Sequence, residues 1–170
     1  MRTTRLAPAS VVAVAATCLL GMSPAYADDS VQHCWQDVES GTSQCFATYA
    51  EVLEQLGGQD GQDAQQSLSD LVSPAASVII GQVFEDASYG GSSFTFTASA
   101  GCDTNADVDW QVSSMPAGWN DRVTSFKSFN SCATRIWSNT GYTGNSYGFV
   151  VNSTNVGSTM NDQTSSIQWN

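Results

Sequence analysis

Positive charge is scarce in this sequence. Its 170 residues include five Lys or Arg and one His against 16 Asp or Glu, and the formal net charge is −11. Such an acidic chain repels the phosphates of nucleic acids and anionic lipid headgroups. We therefore expect no nucleic-acid partner and no membrane partner. An acidic surface of this kind attracts cations or keeps the protein in solution.

Long apolar runs are also lacking after the first 20 residues, so the later sequence predicts no transmembrane helix. The N-terminus itself is typical of a secretory signal peptide over residues 1–27. Arg2 and Arg5 precede an apolar run, and an A-x-A cleavage site ends at Ala27. A lipoprotein anchor at Cys18 is the alternative. We predict cleavage near Ala27 and secretion.

Cleavage would remove two of the five basic residues and none of the acidic ones. Three basic residues would then face 16 acidic ones, a formal net charge of −13 on the 143 residues that remain of 170. The remaining basic residues are Arg122, Lys127 and Arg135.

Four cysteines would remain after cleavage, and an even number in a secreted chain predicts two disulfides. Three pairings are possible. We favour the pairs that are close in sequence, because a Gln/Asp/Gly-rich stretch separates the two sets. The sequence shows no CxxC motif and no Cys/His cluster, so zinc is not expected. The favoured pairs are Cys34–Cys45 and Cys102–Cys132.

Residues 28–58 predict a small module of their own. The stretch "CWQDVESGTSQC" has a turn signal between two short arms, which favours a disulfide-closed hairpin. Thr48 and Glu51 have the spacing of a capping box, and apolar residues at helical spacing follow until Gly57-Gly58. One α-helix is therefore expected after the hairpin. Residues 59–76 have little to bury and predict a flexible linker.

Residues 77–170 predict an all-β domain. Short apolar or aromatic runs alternate there with clusters of Gly, Ser, Asn and Asp, which is typical of a sandwich or barrel. This region also contains an internal repeat: "FEDASYGGSSFTF" (84–96) aligns without a gap with "WSNTGYTGNSYGF" (137–149). Each copy is followed by a polar hexad, "NDRVTS" (120–125) and "NDQTSS" (161–166).

The spacing aromatic, five residues, aromatic, any residue, Gly resembles the folded first hairpin of a Greek key in the βγ-crystallin family. Together with the hexads it resembles the microbial calcium-binding members. The resemblance covers about residues 77–170 and both motifs. It implies a βγ-crystallin-like double Greek-key sandwich and two Ca²⁺ sites, each shared between the hairpin of one motif and the hexad of the other.

The resemblance also implies the ligands. Ca²⁺ takes six to eight oxygens, and a short polar loop supplies hydroxyl, carboxylate, amide and backbone oxygens together. Thr124 and Ser165 would give hydroxyls, and Arg122 and Gln163 backbone carbonyls. Arg122 departs from the pattern by placing a cation beside the first site. The remaining predicted metal-site residues, from the hairpins and from the Asn-Asp pairs of the hexads, are Glu85, Ser138, Asn120, Asp121, Asn161 and Asp162.

The alternative interpretation of the hexads is that they form turns and bind nothing. The acidic stretch "DTNADVD" (103–109) begins like an EF-hand loop but has Val108 where that loop needs Gly, so we interpret it as a surface loop. His33 has no evident nucleophile partner and is expected at the surface. A domain of this size leaves little room for a catalytic cleft, so we do not expect an enzyme.

Two further functions stay open at this point. One is inhibition of a secreted metalloproteinase through the long loop that contains Cys102, since some bacterial inhibitors resemble this fold. The other is a cell-wall or carbohydrate-binding module that uses Trp110, the best candidate for an exposed contact. Trp137 and Trp169 are expected in the core, and Trp119 beneath the first hexad. The role of residues 28–58 is open between pro-segment, docking module and cap.

Overall fold

The computed structural model describes residues 31–57 and 77–170. The predicted signal peptide and the predicted linker therefore lie outside the described residues. Two sheets and one α-helix make up the described chain. The elements are β1 His33–Asp37, β2 Ser43–Phe46, α1 Tyr49–Gln55, β3 Val78–Phe84, β4 Ser93–Ala98, β5 Trp110–Val112, β6 Ser125–Ser128, β7 Thr134–Asn139, β8 Thr143–Val150, β9 Asn152–Ser153 and β10 Ser166–Trp169.

The strand order confirms the predicted double Greek-key sandwich. One sheet has the order β2-β1-β4-β3-β6-β9, and the other has the order β5-β10-β7-β8. β3 to β6 form the first motif and β7 to β10 the second. The third strand of each motif, β5 or β9, joins the sheet of the other motif. Because each motif gives a strand to the other sheet, the two motifs cannot separate without breaking both sheets.

The core lies between the two sheets and is built from alternating strand residues. Phe94, Phe96, Phe126, Ile136 and Trp169 are all buried there. The ring of Trp169 lies so close to Gly81 that a Cβ at that glycine would clash with the indole. The predicted core position of Trp169 is therefore confirmed, and Gly81 leaves the space that its ring needs.

The predicted hairpin and helix are confirmed over the described residues 31–57. The helix begins with a complete capping box, in which the Thr48 hydroxyl accepts from the Glu51 amide and the Glu51 carboxylate accepts from the Thr48 amide. Leu56 lies at the C-cap and Gly57 has a φ of 90°. This helix is shorter than 18 residues, and no helix within the described ranges is long and apolar enough to cross a membrane.

Both favoured disulfides are present. Cys34 is joined to Cys45 across the hairpin, and Cys102 is joined to Cys132 over a separation of 30 residues. Cys102 and Cys132 belong to the main core, and Cys132 precedes β7. The second disulfide thus anchors the long segment between β4 and β5 to the start of the second motif.

The hairpin-helix unit covers one face of the sandwich. β1 pairs in parallel with β4, so the first sheet continues into the hairpin. Val52 and Leu56 of α1 pack on Ile79 in a second, smaller core. Burial here raises the pKa of Tyr49 to about 12. These contacts hold the described residues 31–57 against the β domain.

Candidate metal centre

The two hexads lie side by side and bond to each other through the backbone. The amide of Asp121 donates to the carbonyl of Thr164 at 3.0 Å, and the amide of Asp162 donates to the carbonyl of Val123 at 3.2 Å. These two bonds connect equivalent positions of the two repeats, so the pair has approximate twofold symmetry. The hexads are 41 residues apart in sequence (120 to 161) and form one structural unit.

The second residue of each hexad has a left-handed backbone. Asp121 has a φ of 59° and Asp162 a φ of 54°. Aspartate tolerates this region better than most residues do, which is one reason for an Asn-Asp pair at the turn. The side-chain amide of the preceding asparagine donates to each carboxylate, from Asn120 to Asp121 and from Asn161 to Asp162, each at 2.6 Å. The predicted bracing role of both Asn-Asp pairs has this geometric basis.

The other carboxylate oxygen of each aspartate faces a hydroxyl of the opposite hexad. Thr124 Oγ1 lies 3.4 Å from Asp162 Oδ1, and Ser165 Oγ lies 3.5 Å from Asp121 Oδ1. These separations exceed the usual 2.5–3.0 Å of an O–H···O hydrogen bond. Two oxygens that bind one Ca²⁺ roughly at right angles would lie about 3.3–3.7 Å apart. Each pair therefore fits the spacing of two ligands of one ion.

The predicted carbonyl ligands are free acceptors. Within residues 31–57 and 77–170, no hydrogen bond reaches the carbonyl oxygen of Arg122 or of Gln163. The hydroxyls that would accompany them are sheltered, because Thr124 and Ser165 are only 8% and 7% exposed. Asp121 and Asp162 are exposed, so an ion could reach the pairs from solvent.

The two predicted hairpin ligands are placed differently. Glu85 pairs with Arg122 of its own motif, from Oε1 to Nη2 at 2.7 Å. The Arg122 hydrogen bond holds the pKa of the Glu85 carboxyl below its usual value, although partial burial opposes this shift. Ser138 accepts a bond from the Asn145 amide of its own hairpin at 2.9 Å. The side chains of Glu85 and Ser138 thus both bond within their own motif.

The serine at the sixth position of each hexad has a role that was not predicted from the sequence. Ser125 donates to the carbonyl of Asp86 at 2.6 Å and accepts from the amide of Tyr89 at 3.1 Å. Ser166 makes the same two bonds with Asn139 and Tyr142, at 2.7 and 3.1 Å. These serines hold the folded hairpin of each motif against its last strand. The repetition of a sixth-position serine in both hexads was the signal for this role.

Acidic clusters do not contribute to this centre. Across the described parts of the chain, no group of three or more His, Cys, Asp or Glu residues is close enough to hold a metal ion. Any ion at the hexads would be held mainly by hydroxyl, amide and carbonyl oxygens, with one aspartate in each pair. That donor set consists of hard oxygens and suits Ca²⁺ better than a transition metal.

Two expectations about tryptophan are wrong. Trp110 is a half-buried residue of strand β5, and its ring packs on the main core, so it is not an exposed loop contact. Trp137 is not in the core: its ring lies on the outer face of the second sheet, where it bonds Gln168 and is 5.6 Å from Arg135. Trp119 is buried beneath the first hexad as expected, with only 3% exposure.

His33 is half-buried, not at the surface as expected. Its Nδ1 lies 2.8 Å from Ser93 Oγ, and burial lowers the pKa of the imidazole. That serine is 1% exposed and also accepts from Gln82. No substrate can reach a hydroxyl in this position. The pair of His33 with Ser93 joins β1 of the hairpin to β4 and is not a catalytic pair.

Solved structures similar to this chain are βγ-crystallin domains. One from Clostridium beijerinckii has 21% identity over 53% of this chain and 95% of its own, with a TM-score of 0.40. One from Flavobacterium johnsoniae has 20% identity over 54% and 93%, with a TM-score of 0.39. The N-terminal domain of Protein S has 17% identity over 54% and 94%, with a TM-score of 0.41. No family model and no curated protein matches the sequence.

The two motifs of this chain exchange a strand and their hexads are paired, as expected for a double Greek key. The predicted double Greek-key fold is thus confirmed by the strand order, and βγ-crystallin domains are among the solved structures that are similar to this chain.

Proposed function

We propose that this is a secreted protein that binds Ca²⁺ between its two hexads and is stabilised by the ion. The observation that carries the proposal is the pair of crossed contacts, Thr124 with Asp162 and Ser165 with Asp121, at 3.4 and 3.5 Å. Each contact joins the two motifs, and each has the oxygen spacing of a shared cation. The free carbonyls of Arg122 and Gln163 add acceptors beside these pairs.

Binding would act on stability by mass action. An ion held by both hexads is bound only while the two motifs are docked, since neither hexad alone brings hydroxyl and carboxylate together. A ligand that binds only the folded state at 100 times its Kd adds about 2.7 kcal/mol to the free energy of unfolding. The proposed role is structural, without turnover.

Isothermal titration with CaCl₂ tests this proposal. Protein freed of metal should release or absorb heat that saturates with Ca²⁺ and not with MgCl₂. The double variant Thr124→Val/Ser165→Ala removes both crossed hydroxyls and should lose that heat. A matched control, Thr104→Val/Ser146→Ala, removes two exposed hydroxyls outside the hexads and should titrate like the parent. If the parent shows no calcium-specific heat, the hexads are turns only.

A second candidate function is inhibition of a secreted metalloproteinase. The observation that favours it is the exposed segment from Asp103 to Val108, which the Cys102–Cys132 disulfide fixes at one end. Its side chains bond only locally, Asp103 with Asn105 and Asn105 with Asp107. Inhibition through this segment would persist in EGTA and would be lost in Cys102→Ala/Cys132→Ala. Inhibition that requires Ca²⁺ would contradict this mechanism.

A further inference from the structure

The first hexad already contains a fixed positive charge. The guanidinium of Arg122 donates from Nη2 to Glu85 at 2.7 Å and from Nη1 to the Gly118 carbonyl at 2.9 Å. It also lies 5.2 Å from the centre of the Trp119 ring, in cation–π geometry. These three contacts hold the head of this side chain between Glu85, Gly118 and Trp119, so that the Arg122 charge is paired with a predicted hairpin ligand of the centre.

The second hexad lacks such a charge. Gln163 occupies the position of Arg122, and its amide donates to the carbonyl of Asp162 at 2.7 Å. Ser138 occupies the position of Glu85. Asp162, the carboxylate of the pair with Thr124, therefore has no Lys or Arg in its own hexad (161–166) or in the hairpin of its motif (137–149).

This difference changes what each pair offers to a divalent ion. The Glu85 carboxylate, the acidic group that the first hairpin could add, is already in a charge-assisted bond with Arg122. An incoming Ca²⁺ would meet the like charge of the guanidinium as well. At the pair of Thr124 with Asp162, the hexad and hairpin of the second motif supply no positive charge that would repel Ca²⁺ from the Asp162 carboxylate.

We propose that Arg122 serves as a built-in cation that replaces calcium at the pair of Asp121 with Ser165, so that the protein binds one Ca²⁺, at the pair of Thr124 with Asp162. This inference rests on the proposed function. It assigns the pair of Asp121 with Ser165 to the ion pair of Arg122 with Glu85, which is present without metal. The pair of Thr124 with Asp162 is then the calcium-dependent part of the centre.

Calcium stoichiometry in Arg122→Gln tests the inference, because this change gives the first hexad the residue that the second hexad has. Equilibrium dialysis with radioactive Ca²⁺ should give one bound ion per chain for the parent and two for Arg122→Gln. Arg135→Gln removes the same charge from β7, where the guanidinium contacts Trp137 and Phe149 and neither hexad, and should stay at one.

A second variant covers the case in which Arg122→Gln is poorly folded because Glu85 has lost its partner. Glu85→Ser/Arg122→Gln gives the first motif both equivalent residues of the second, and it should also bind two ions. The metal-free melting temperature of each variant, measured in EGTA, gives a readout independent of binding. It should fall relative to the parent and recover further with Ca²⁺ than the parent does.

The possible outcomes separate the two proposals. Two ions in the parent, or one ion in the parent and in both Arg122 variants, would overturn the inference and leave calcium binding intact. No calcium-specific binding by any variant would overturn the proposed function together with it. One ion that is lost in Ser165→Ala and kept in Thr124→Val would place the ion at the pair of Asp121 with Ser165 and also overturn the inference.

Discussion

The two hexads have the same backbone and different charges. Both turn at a left-handed aspartate, both donate an amide to the other, and both end in a serine that secures a hairpin. They differ at the third residue, Arg122 in one copy and Gln163 in the other. The comparison shows that the repeat preserves the fold through the shared positions and leaves the chemistry of each site to the variable ones.

The first prediction concerns that chemistry and has the largest expected effect. Thr124→Val should remove most of the calcium-dependent stabilisation, about 2.7 kcal/mol at 100 times Kd, because it removes the hydroxyl of the second pair. Ser165→Ala should keep most of it. Chemical denaturation in EGTA and in saturating CaCl₂ measures both. Equal losses in the two variants would show that the two pairs are alike.

The second prediction concerns the serine at the sixth position of each hexad. Ser125→Ala and Ser166→Ala each remove two part-buried hydrogen bonds between a buried serine and its hairpin, which at about 0.5–1.5 kcal/mol each should cost about 1–3 kcal/mol in either copy. Urea denaturation in EGTA gives the two free energies. Because the bonds of the two serines match within 0.1 Å, we expect losses of similar size. A large loss in only one copy would contradict the equivalence of the hairpins.

The third prediction uses a natural difference at the fourth hexad position. Thr164 is fully buried, and within the described residues its hydroxyl has no hydrogen-bond partner; Val123 fills the same position in the first copy. Thr164→Val should raise the free energy of unfolding by about 1 kcal/mol, since an unpaired buried hydroxyl is unfavourable. The reverse change, Val123→Thr, should lower it. Urea denaturation that finds Thr164→Val destabilised would show that its hydroxyl has a partner.

The fourth and smallest effect is a dependence on pH in the first copy. The folded-state pKa of Glu85 is below its ordinary value of 4.5, so the ion pair stabilises the protein above that pH and the contribution disappears as the pH falls through the lowered pKa. Both side chains are more than a third exposed, so the effect should be small. Melting curves between pH 6 and 3 should show a shallower decline for Glu85→Gln than for the parent.

The sequence predicted much of this molecule because the repeat is without gaps and the hexads recur at equivalent places. Two aligned copies fix which residues are equivalent, and the alternation of strand residues places most of the core. The disulfides followed from their separation along the chain. These features depend on local spacing, which is visible in a single sequence.

Other features depend on contacts that spacing does not reveal. The ion pair of Arg122 with Glu85 joins residues 37 positions apart, and the guanidinium also lies over the ring of Trp119. The parallel pairing of β1 with β4 depends on a free sheet edge that only the assembled domain has. The expectation that Trp137 lies in the core was wrong because alternation along a strand defines two faces but does not show which face is buried.

The measurement that tests the account most directly is thermal unfolding of the protein in EGTA and over a CaCl₂ series, with MgCl₂ as the control. The account predicts a melting temperature that rises and saturates with Ca²⁺ alone, and a rise that disappears in Thr124→Val/Ser165→Ala. A parent melting temperature that is the same in EGTA, CaCl₂ and MgCl₂ would contradict it.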